Sequence, residues 1–242
     1  MRVFTNREVN IKKRQNEKGN VLFIILMAIA LIGTLTAVIQ NSSNSDSSNI
    51  DDETLSIKIS EIRSYTSELE RAVLYINQNG ISEEDIRFAH PDANSEYGDL
   101  SADTDTTDQV FHKDGGAALY RAAPSGLNDG SAWEFTGSTA APNVGTSRAD
   151  LIAVLPNVTA AFCSKINEMN GQSSIPDDTS DCVYAGATAR FDDATQYASS
   201  PNTMNESTFT QDVNISSAKA APQACVACAD GNYYFYNVLL AR

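Results

Sequence analysis

The feature that most constrains this chain is a run of 19 residues without a charge, residues 21–39, reading VLFIILMAIALIGTLTAVI. As a helix it would be roughly 28 Å long, which is about the thickness of the hydrocarbon core of a bilayer. A buried helix of a soluble core would need neighbouring elements to cover it, but basic and polar segments flank the run. A removable secretory signal has a shorter apolar core and a small-residue cleavage site. The run therefore predicts a transmembrane helix over residues 20–40.

Charge differs sharply on the two sides of this run. The chain has 17 Lys+Arg and 31 Asp+Glu, a net charge of −14. Its first 18 residues hold six bases and two acids, a net of +4, so the remainder has a net of −18. Because basic flanks stay on the cytoplasmic side, residues 1–19 are predicted as a cytoplasmic leader and residues 80–242 as an exported head. An acidic body also argues against binding to nucleic acid.

Two segments lie between the apolar run and the head. Residues 41–50 are rich in Ser and Asn and predict a polar linker. Residues 51–79 predict an amphipathic helix that Gly80 can terminate, although a generic amphipathic helix would show the same pattern. Its apolar stripe is Leu55, Ile59, Ile62, Tyr65, Leu69, Val73 and Ile76.

The head shows short β-branched or aromatic runs bounded by turn residues, which predicts an antiparallel, β-rich domain and an α+β fold class overall. The predicted strands include residues 86–88, 109–112, 118–121, 132–135 and 233–240. Alternation in the last of these predicts a core strand buried on both faces rather than an aromatic binding strip. One helix is predicted between Asn157, as N-cap, and Gly171.

The junction before the apolar run is more specific than the run itself. Lys18-Gly19-Asn20 leads directly into it and resembles the leader junction of bacterial type IV pilins and type II secretion pseudopilins. The resemblance implies cleavage between Gly19 and Asn20 by a prepilin peptidase, followed by assembly with other pilin-like subunits at the cytoplasmic (inner) membrane. It places these residues on the membrane and assembly helix: Val21, Phe23, Ile24, Ala28, Ala30, Gly33 and Ala37.

Two positions depart from the pilin pattern. The first residue after the cut is commonly Phe or Met in the family and is Asn20 here. The fifth is usually Glu and is Ile24 here. Because that glutamate is thought to pair with a neighbour's N-terminal amine, its absence implies a minor subunit rather than a repeatedly polymerising one.

Further phrases resemble a group of pilin-like proteins of alphaproteobacteria. They are GNVLFIILMAIAL at residues 19–31, VFHKDGG at 110–116, DLIAVLP at 150–156, CSKIN at 163–167 and YYFYNVLLAR at 233–242. The resemblance implies a pilin-like, export-linked protein and does not imply a known activity.

Four cysteines lie on the predicted outer side: Cys163, Cys182, Cys225 and Cys228. An even number in an oxidising compartment predicts disulfides, and closeness in sequence favours Cys163–Cys182 with Cys225–Cys228. A four-cysteine zinc site would normally repeat the tight two-residue spacing, which occurs once here. A redox pair at 225–228 would need a helix N-terminus, whereas Pro222 and Gly231 indicate a loop.

Two other sets of residues are candidates for a calcium site and for a catalytic site. Asp99, Asp103, Asp105 and Asp108 could supply oxygens to calcium, but they do not match the EF-hand pattern and favour a solvated acidic loop, so no cofactor is expected. The two histidines, His90 and His112, have no nucleophile beside them in sequence, so no enzymatic activity is expected.

Together with the predicted membrane helix, the resemblance implies a non-enzymatic, minor pseudopilin-type subunit. The alternative is a monomeric, signal-anchored periplasmic protein whose head binds a ligand. An exported metal- or redox-active domain is a third hypothesis.

Overall fold

The structure is a computed structural model. It describes residues 18–92, 103–172, 174–178, 182, 191, 198, 201–203 and 220–242, without the side chains of residues 18–22, 33–51 and 202–203. Two compact units meet in the sequence between Glu53 and Thr54.

The described elements form an α+β fold, which confirms the predicted class. In chain order they are α1 (Lys18–Gln78), β1 (Glu134–Ala140), β2 (Asp150–Val158), α2 (Ala160–Met169), β3 (Asn202–Thr203), β4 (Gln223–Ala227) and β5 (Tyr233–Leu240). The strands form one sheet in the order β3-β1-β2-β5-β4. Neighbouring strands are antiparallel, except that the two-residue β3 runs parallel to β1.

The second part of α1 carries the predicted apolar stripe. Six of its seven residues are buried and Leu55 is partly buried. The helix ends at Gln78, and Gly80 has a φ of +91°, a left-handed conformation that glycine adopts without steric cost. The prediction for residues 51–79 is therefore confirmed to within a residue at its C-terminal end.

Residues 41–50, predicted as a polar linker, have a helical backbone that continues α1. Ser and Asn are weak helix formers, but each costs well under about 1 kcal/mol relative to Ala. A helix that is already formed on both sides can therefore extend through them.

Strand β5 is buried on both faces, as predicted, and separates two cores. The first core contains the stripe of α1, the inner side of α2, Trp133, Phe135, Leu151, Leu155, Cys225 and Phe235. The second core contains Ala141, Ile152, Val154, Cys182, Phe191, Ala221, Ala224, Val226, Cys228, Tyr234, Tyr236 and Val238. Alternate residues of β2, β4 and β5 thus contribute to opposite cores.

Other strand predictions were partly wrong. Residues 86–88 and 109–112 share one isolated parallel bridge, between Arg87 and Gln109, instead of forming ladders. Residues 118–121 form no strand and lie along α1 instead. The predicted strand at 132–135 begins later, at Glu134, and the segment predicted as a loop before Gly231 contains β4.

Helix α2 lies where it was predicted, but its N-cap was wrong. Thr159 is the N-cap, and its hydroxyl oxygen accepts a hydrogen bond from the N–H of Phe162. Asn157 instead has a φ of +54°, and its side chain donates to Asp129 and Ser131. Gly171 follows the C-cap, Asn170, as the sequence predicted.

The outer edge of β4 is closed by neighbouring groups. The side-chain amide of Asn167 accepts from the N–H of Cys225 and donates to its carbonyl, each at 2.8 Å. Ala227 exchanges backbone hydrogen bonds with Pro176 and Asp178. Since unpaired strand edges recruit other strands, this edge is unavailable for strand addition.

Candidate functional site

The candidate functional site is the apolar stretch of α1 at residues 23–32. Every residue in it is exposed. Its large apolar side chains have exposed fractions between 53% and 66%: Phe23, Ile24, Ile25, Leu26, Met27, Ile29, Leu31 and Ile32. A helix that is apolar on all sides is typical of a membrane span or of the interior of an assembly.

Several residues of the predicted membrane and assembly helix can be placed. Phe23, Ile24, Ala28 and Ala30 are exposed. Only the backbone is described at Gly19, Asn20, Val21, Gly33 and Ala37, and residues 1–17 of the leader lie outside the described residues. Within the described part of the chain, no helix is both long enough and apolar enough to cross a membrane.

In the other unit, a strap of residues 116–126 runs antiparallel along the second part of α1. It begins where Gly116 lies against Ala72, so closely that an added Cβ would meet the Cβ of Ala72 at 2.8 Å. It ends where the ammonium of Lys58 donates to the carbonyl of Ser125 at 2.9 Å. Glycine is therefore required at the start of the strap.

Glu68 is the main polar anchor of the strap. Its carboxylate accepts from the N–H of Leu119 at 3.2 Å and from the guanidinium of Arg121 at 2.6 Å. The N–H of Arg121 donates to the hydroxyl of Tyr65 at 3.2 Å. Burial raises the pKa of the Tyr65 hydroxyl, so this group is neutral at physiological pH.

A cleft of about 210 Å³ lies between the strap and α1. Ile62 and Tyr65 give it an apolar floor, and Glu61, Arg121 and Pro124 contribute to its rim. The guanidinium of Arg121 lies 5.8 Å from the centre of the Tyr65 ring. The cleft can accept a small group with an apolar body and a polar end.

A polar network contacts α1 on the other side of its buried stripe from the strap. Arg63 donates to Asn170, and Asn170 donates to the carbonyl of Gln223. The side chain of Gln223 donates to Asn237, which donates to Glu70 of α1 at 2.8 Å. The strap and this network fix the helix on both sides of its buried stripe.

The cysteines form two disulfides, but not the predicted pairs. Cys163 bonds to Cys225 and Cys182 bonds to Cys228, with Cα–Cα distances of 5.2 and 5.8 Å. Cys225 and Cys228 are three residues apart along an extended chain, roughly 10 Å, and contribute to opposite cores. Closeness in sequence was therefore a poor guide.

This pairing also bears on the metal and redox hypotheses. All four cysteines are disulfide-bonded, so no thiolate is available to ligate zinc. Cys225 lies in a strand and not at a helix N-terminus. The pairing thus differs from the one that a four-cysteine zinc site or a redox pair between Cys225 and Cys228 would need.

The predicted acidic residues that the structure describes each have a polar partner or a shifted pKa. The carboxylate of Asp105 accepts from the N–H and hydroxyl of Thr107, which lowers its pKa. Asp103 pairs with Arg87 at 3.7 Å, while burial and the neighbouring Asp105 raise the pKa of Asp108. Asp99 lies outside the described residues, among which no group of three or more His, Cys, Asp or Glu could hold a metal ion.

Each histidine makes a local contact. Nδ1 of His90 accepts from the N–H of Asp92, and its ring stacks on Tyr120 with centroids 4.6 Å apart. Nδ1 of His112 accepts from the N–H of Asp114 at 3.2 Å. These contacts order the turns at residues 90–92 and 112–114.

Sequence reasoning missed a buried carboxylate at Asp150. It accepts from the N–H groups of Ala141 and Arg242 at 2.8 and 2.9 Å. Burial raises its pKa, against the lowering effect of these two hydrogen bonds. The available signal in the sequence was an acidic residue directly before the apolar residues 151–156 of β2.

Comparison with protein families, with curated proteins and with solved structures found no match to this chain.

Proposed function

We propose that this chain is a non-enzymatic, minor pseudopilin-type subunit of a type II secretion or type IV pilus-like apparatus. Residues 1–19 are a cytoplasmic leader that a prepilin peptidase removes between Gly19 and Asn20. Residues 20–40 then anchor the protein in the bacterial inner membrane as a single pass and pack against other pilin-like subunits. Residues 80–242 form a head in the periplasm or outside the cell.

The observation that supports this proposal most is the exposure of residues 23–32. Eight large apolar side chains lie more than half exposed on one helix. Apolar surface of this extent is favourable only where lipid or another protein removes it from water. The positive leader before it and the acidic body after it agree with the proposed orientation.

Two features favour a minor role. Ile24 occupies the fifth mature position, where a polymerising pilin carries glutamate, so the charge pairing between neighbours is absent. Beyond the leader the chain has a net charge of −18, and many such heads side by side would repel one another unless cations or basic partners screened them.

Photo-crosslinking in cells tests the assembly step. A photo-reactive residue at Ala28 should give adducts with other pilin-like subunits in the membrane fraction. The matched control is the same residue at Ile57, an exposed apolar position of the other unit, which should give none. Equal adducts at both positions, or a protein recovered without membranes, would contradict the proposal.

A second candidate function is a monomeric, signal-anchored periplasmic binding protein. The cleft beside Tyr65 and Arg121 favours it, since an apolar floor with a charged rim can hold a small ligand. The same experiment separates the two functions. A binding protein would stay in the membrane fraction but give no adduct at Ala28.

A further inference from the structure

The two disulfides lie on opposite faces of the sheet. Cys163 and Cys225 belong to the first core, and Cys182 and Cys228 belong to the second. Their surroundings differ in the access of solvent to the sulfur and in the other bonds that hold the joined segments together. Both differences govern how a disulfide reacts with an external thiol.

The first disulfide joins two segments that are also held by hydrogen bonds. Asn167, one turn after Cys163 on α2, makes two hydrogen bonds to the backbone of Cys225. Asn170 adds a third bond from α2 to β4, at Gln223. Cys163 and Cys225 are both 0% exposed, so an external thiol has no path to either sulfur while this packing persists.

The second disulfide ends at the tip of the β4–β5 hairpin. Cys228 accepts a hydrogen bond from the N–H of Gly231 in the turn, and residues 229–232 are all exposed. Cys228 is 7% exposed, whereas the other three cysteines are 0% exposed. It is therefore the most exposed of the four cysteines.

At its other end this disulfide holds an aromatic contact in place. The carbonyl of Cys182 accepts a hydrogen bond from the N–H of Phe191 at 2.6 Å. The ring of Phe191 lies 5.7 Å from that of Tyr236 and is fully buried in the second core. The bond from Cys182 to Cys228 therefore ties the Phe191 contact to the sheet.

We propose that Cys228 is a thiol-exchange site and that Cys182–Cys228 is a redox-sensitive tie of the second core, with a dithiol as its co-reactant. A thiolate of the dithiol attacks Sγ of Cys228, the Sγ–Sγ bond breaks, and Cys182 leaves as a thiolate that takes up a proton. The second thiol of the dithiol attacks the mixed disulfide and releases Cys228. Two electrons pass to the protein, and the dithiol becomes a disulfide.

Reduction leaves the first core and its disulfide intact but releases Cys182. The Phe191 amide then loses a fixed acceptor, and its ring is no longer tied against Tyr236. Reoxidation restores both. The inference concerns the folded head and does not depend on the proposed role in an assembly.

Graded reduction of the full-length, detergent-extracted protein with dithiothreitol tests the proposal. Thiols freed at each time are alkylated and located by peptide mass mapping. We expect Cys182 and Cys228 to be labelled at least about tenfold faster than Cys163 and Cys225, because accessible disulfides exchange faster. Hydrogen exchange at the Phe191 amide should rise by roughly tenfold once Cys182–Cys228 is reduced. Exchange at the amide of Phe235, a β5 residue of the first core, should not change.

Two variants, each lacking one disulfide, separate the reactivity of the remaining disulfide from an effect on folding. In the variant with Cys163→Ser and Cys225→Ser, the remaining disulfide should open at the wild-type rate. In the variant with Cys182→Ser and Cys228→Ser, the remaining one should stay protected until denaturant is added. Simultaneous opening of both disulfides in the wild type, earlier opening of Cys163–Cys225, or an unchanged Phe191 amide after reduction would each overturn the proposal.

Discussion

Two stretches of one helix, α1, use apolar residues in different ways. At residues 23–32 the apolar side chains point in every direction and are all exposed. At residues 55–76 most of the large apolar side chains form a single stripe that is buried in the first core, whereas Ile57, Leu74 and Tyr75 are exposed. The second stretch is also held by Glu68, Arg63 and Glu70 through the strap and the polar network.

This difference indicates where each stretch finds its packing partner. An apolar stripe with a polar opposite face matches a sheet in the same chain. A helix that is apolar all round has no face suited to water, and in the described part of the chain the side chains of residues 23–32 are exposed. The experiments below test that contrast, from the largest expected effect to the smallest.

Replacing one leucine in each stretch should give very different losses of stability. Leu69 is fully buried, so Leu69→Ala should lower the free energy of unfolding of the head by about 2 to 5 kcal/mol through lost contacts and a cavity. Leu26 is exposed, and Leu26→Ala should leave the value within about 0.5 kcal/mol of wild type. Urea unfolding followed by the fluorescence of Trp133, the single tryptophan, measures both. Similar losses of stability in the two variants would contradict the difference in burial between the two stretches.

A charge introduced into each stretch should separate membrane retention from folding. Ile25 and Ile57 have nearly equal exposed fractions, 53% and 56%. Ile25→Arg should reduce the membrane-retained fraction, since a charge inside the hydrocarbon core is costly, up to about 2.5 to 3.5 kcal/mol at the centre of a span on insertion scales. Ile57→Arg should not change retention. Fractionation with immunoblotting measures it, and equal retention of the two variants would show that residues 23–32 are not the anchor.

The strap should contribute modestly to the free energy of unfolding, by holding the second stretch of α1. Glu68→Gln weakens the pairing with Arg121 and the bond from Leu119, which should cost about 1 kcal/mol because the pair is partly exposed. Glu61→Gln, on the same helix at the cleft, serves as control and should cost less than about 0.5 kcal/mol. The readout is the urea midpoint. A larger loss for Glu61 than for Glu68 would place the anchor elsewhere.

The smallest effect concerns pH and belongs to the head alone. Because the pKa of Asp150 is raised in the fold, the folded head holds this proton more tightly than the unfolded chain does. Its contribution to stability is present below the pKa of free Asp, about 3.9, and is lost as pH rises through the raised value. Asp150→Asn should therefore flatten the fall in stability just above pH 4, measured by urea unfolding at several pH values. An unchanged slope would assign that fall to other groups.

The burial of α1 and of β5 could be predicted because the pattern that indicates it is local in each sequence. The stripe from Ile59 to Ile76 repeats with the helix period, and β5 alternates between two apolar faces, so each pattern indicates its own burial. The disulfide pairs depend on which strand lies beside which, and no spacing along the chain contains that information. Cys163 meets Cys225 because α2 packs on β4, an edge strand whose partners come from residues 167–178.

Local patterns also failed where a side chain had a better distant partner. Asn157 was a reasonable N-cap, but its amide bonds to Asp129 and Ser131 while Thr159 caps the helix. Residues 118–121 have strand-forming side chains, yet the N–H groups of Leu119 and Arg121 donate to side chains of α1. In both cases a tertiary contact determined the local structure.

The most direct test of the central claim is the N-terminus of the membrane-extracted protein, measured by intact mass in cells with an active prepilin peptidase. The account predicts a chain that begins at Asn20, and a Gly19→Ala variant that keeps its leader. A wild-type chain that still begins at Met1 under these conditions would contradict the pilin-like function and leave a signal-anchored binding protein in its place.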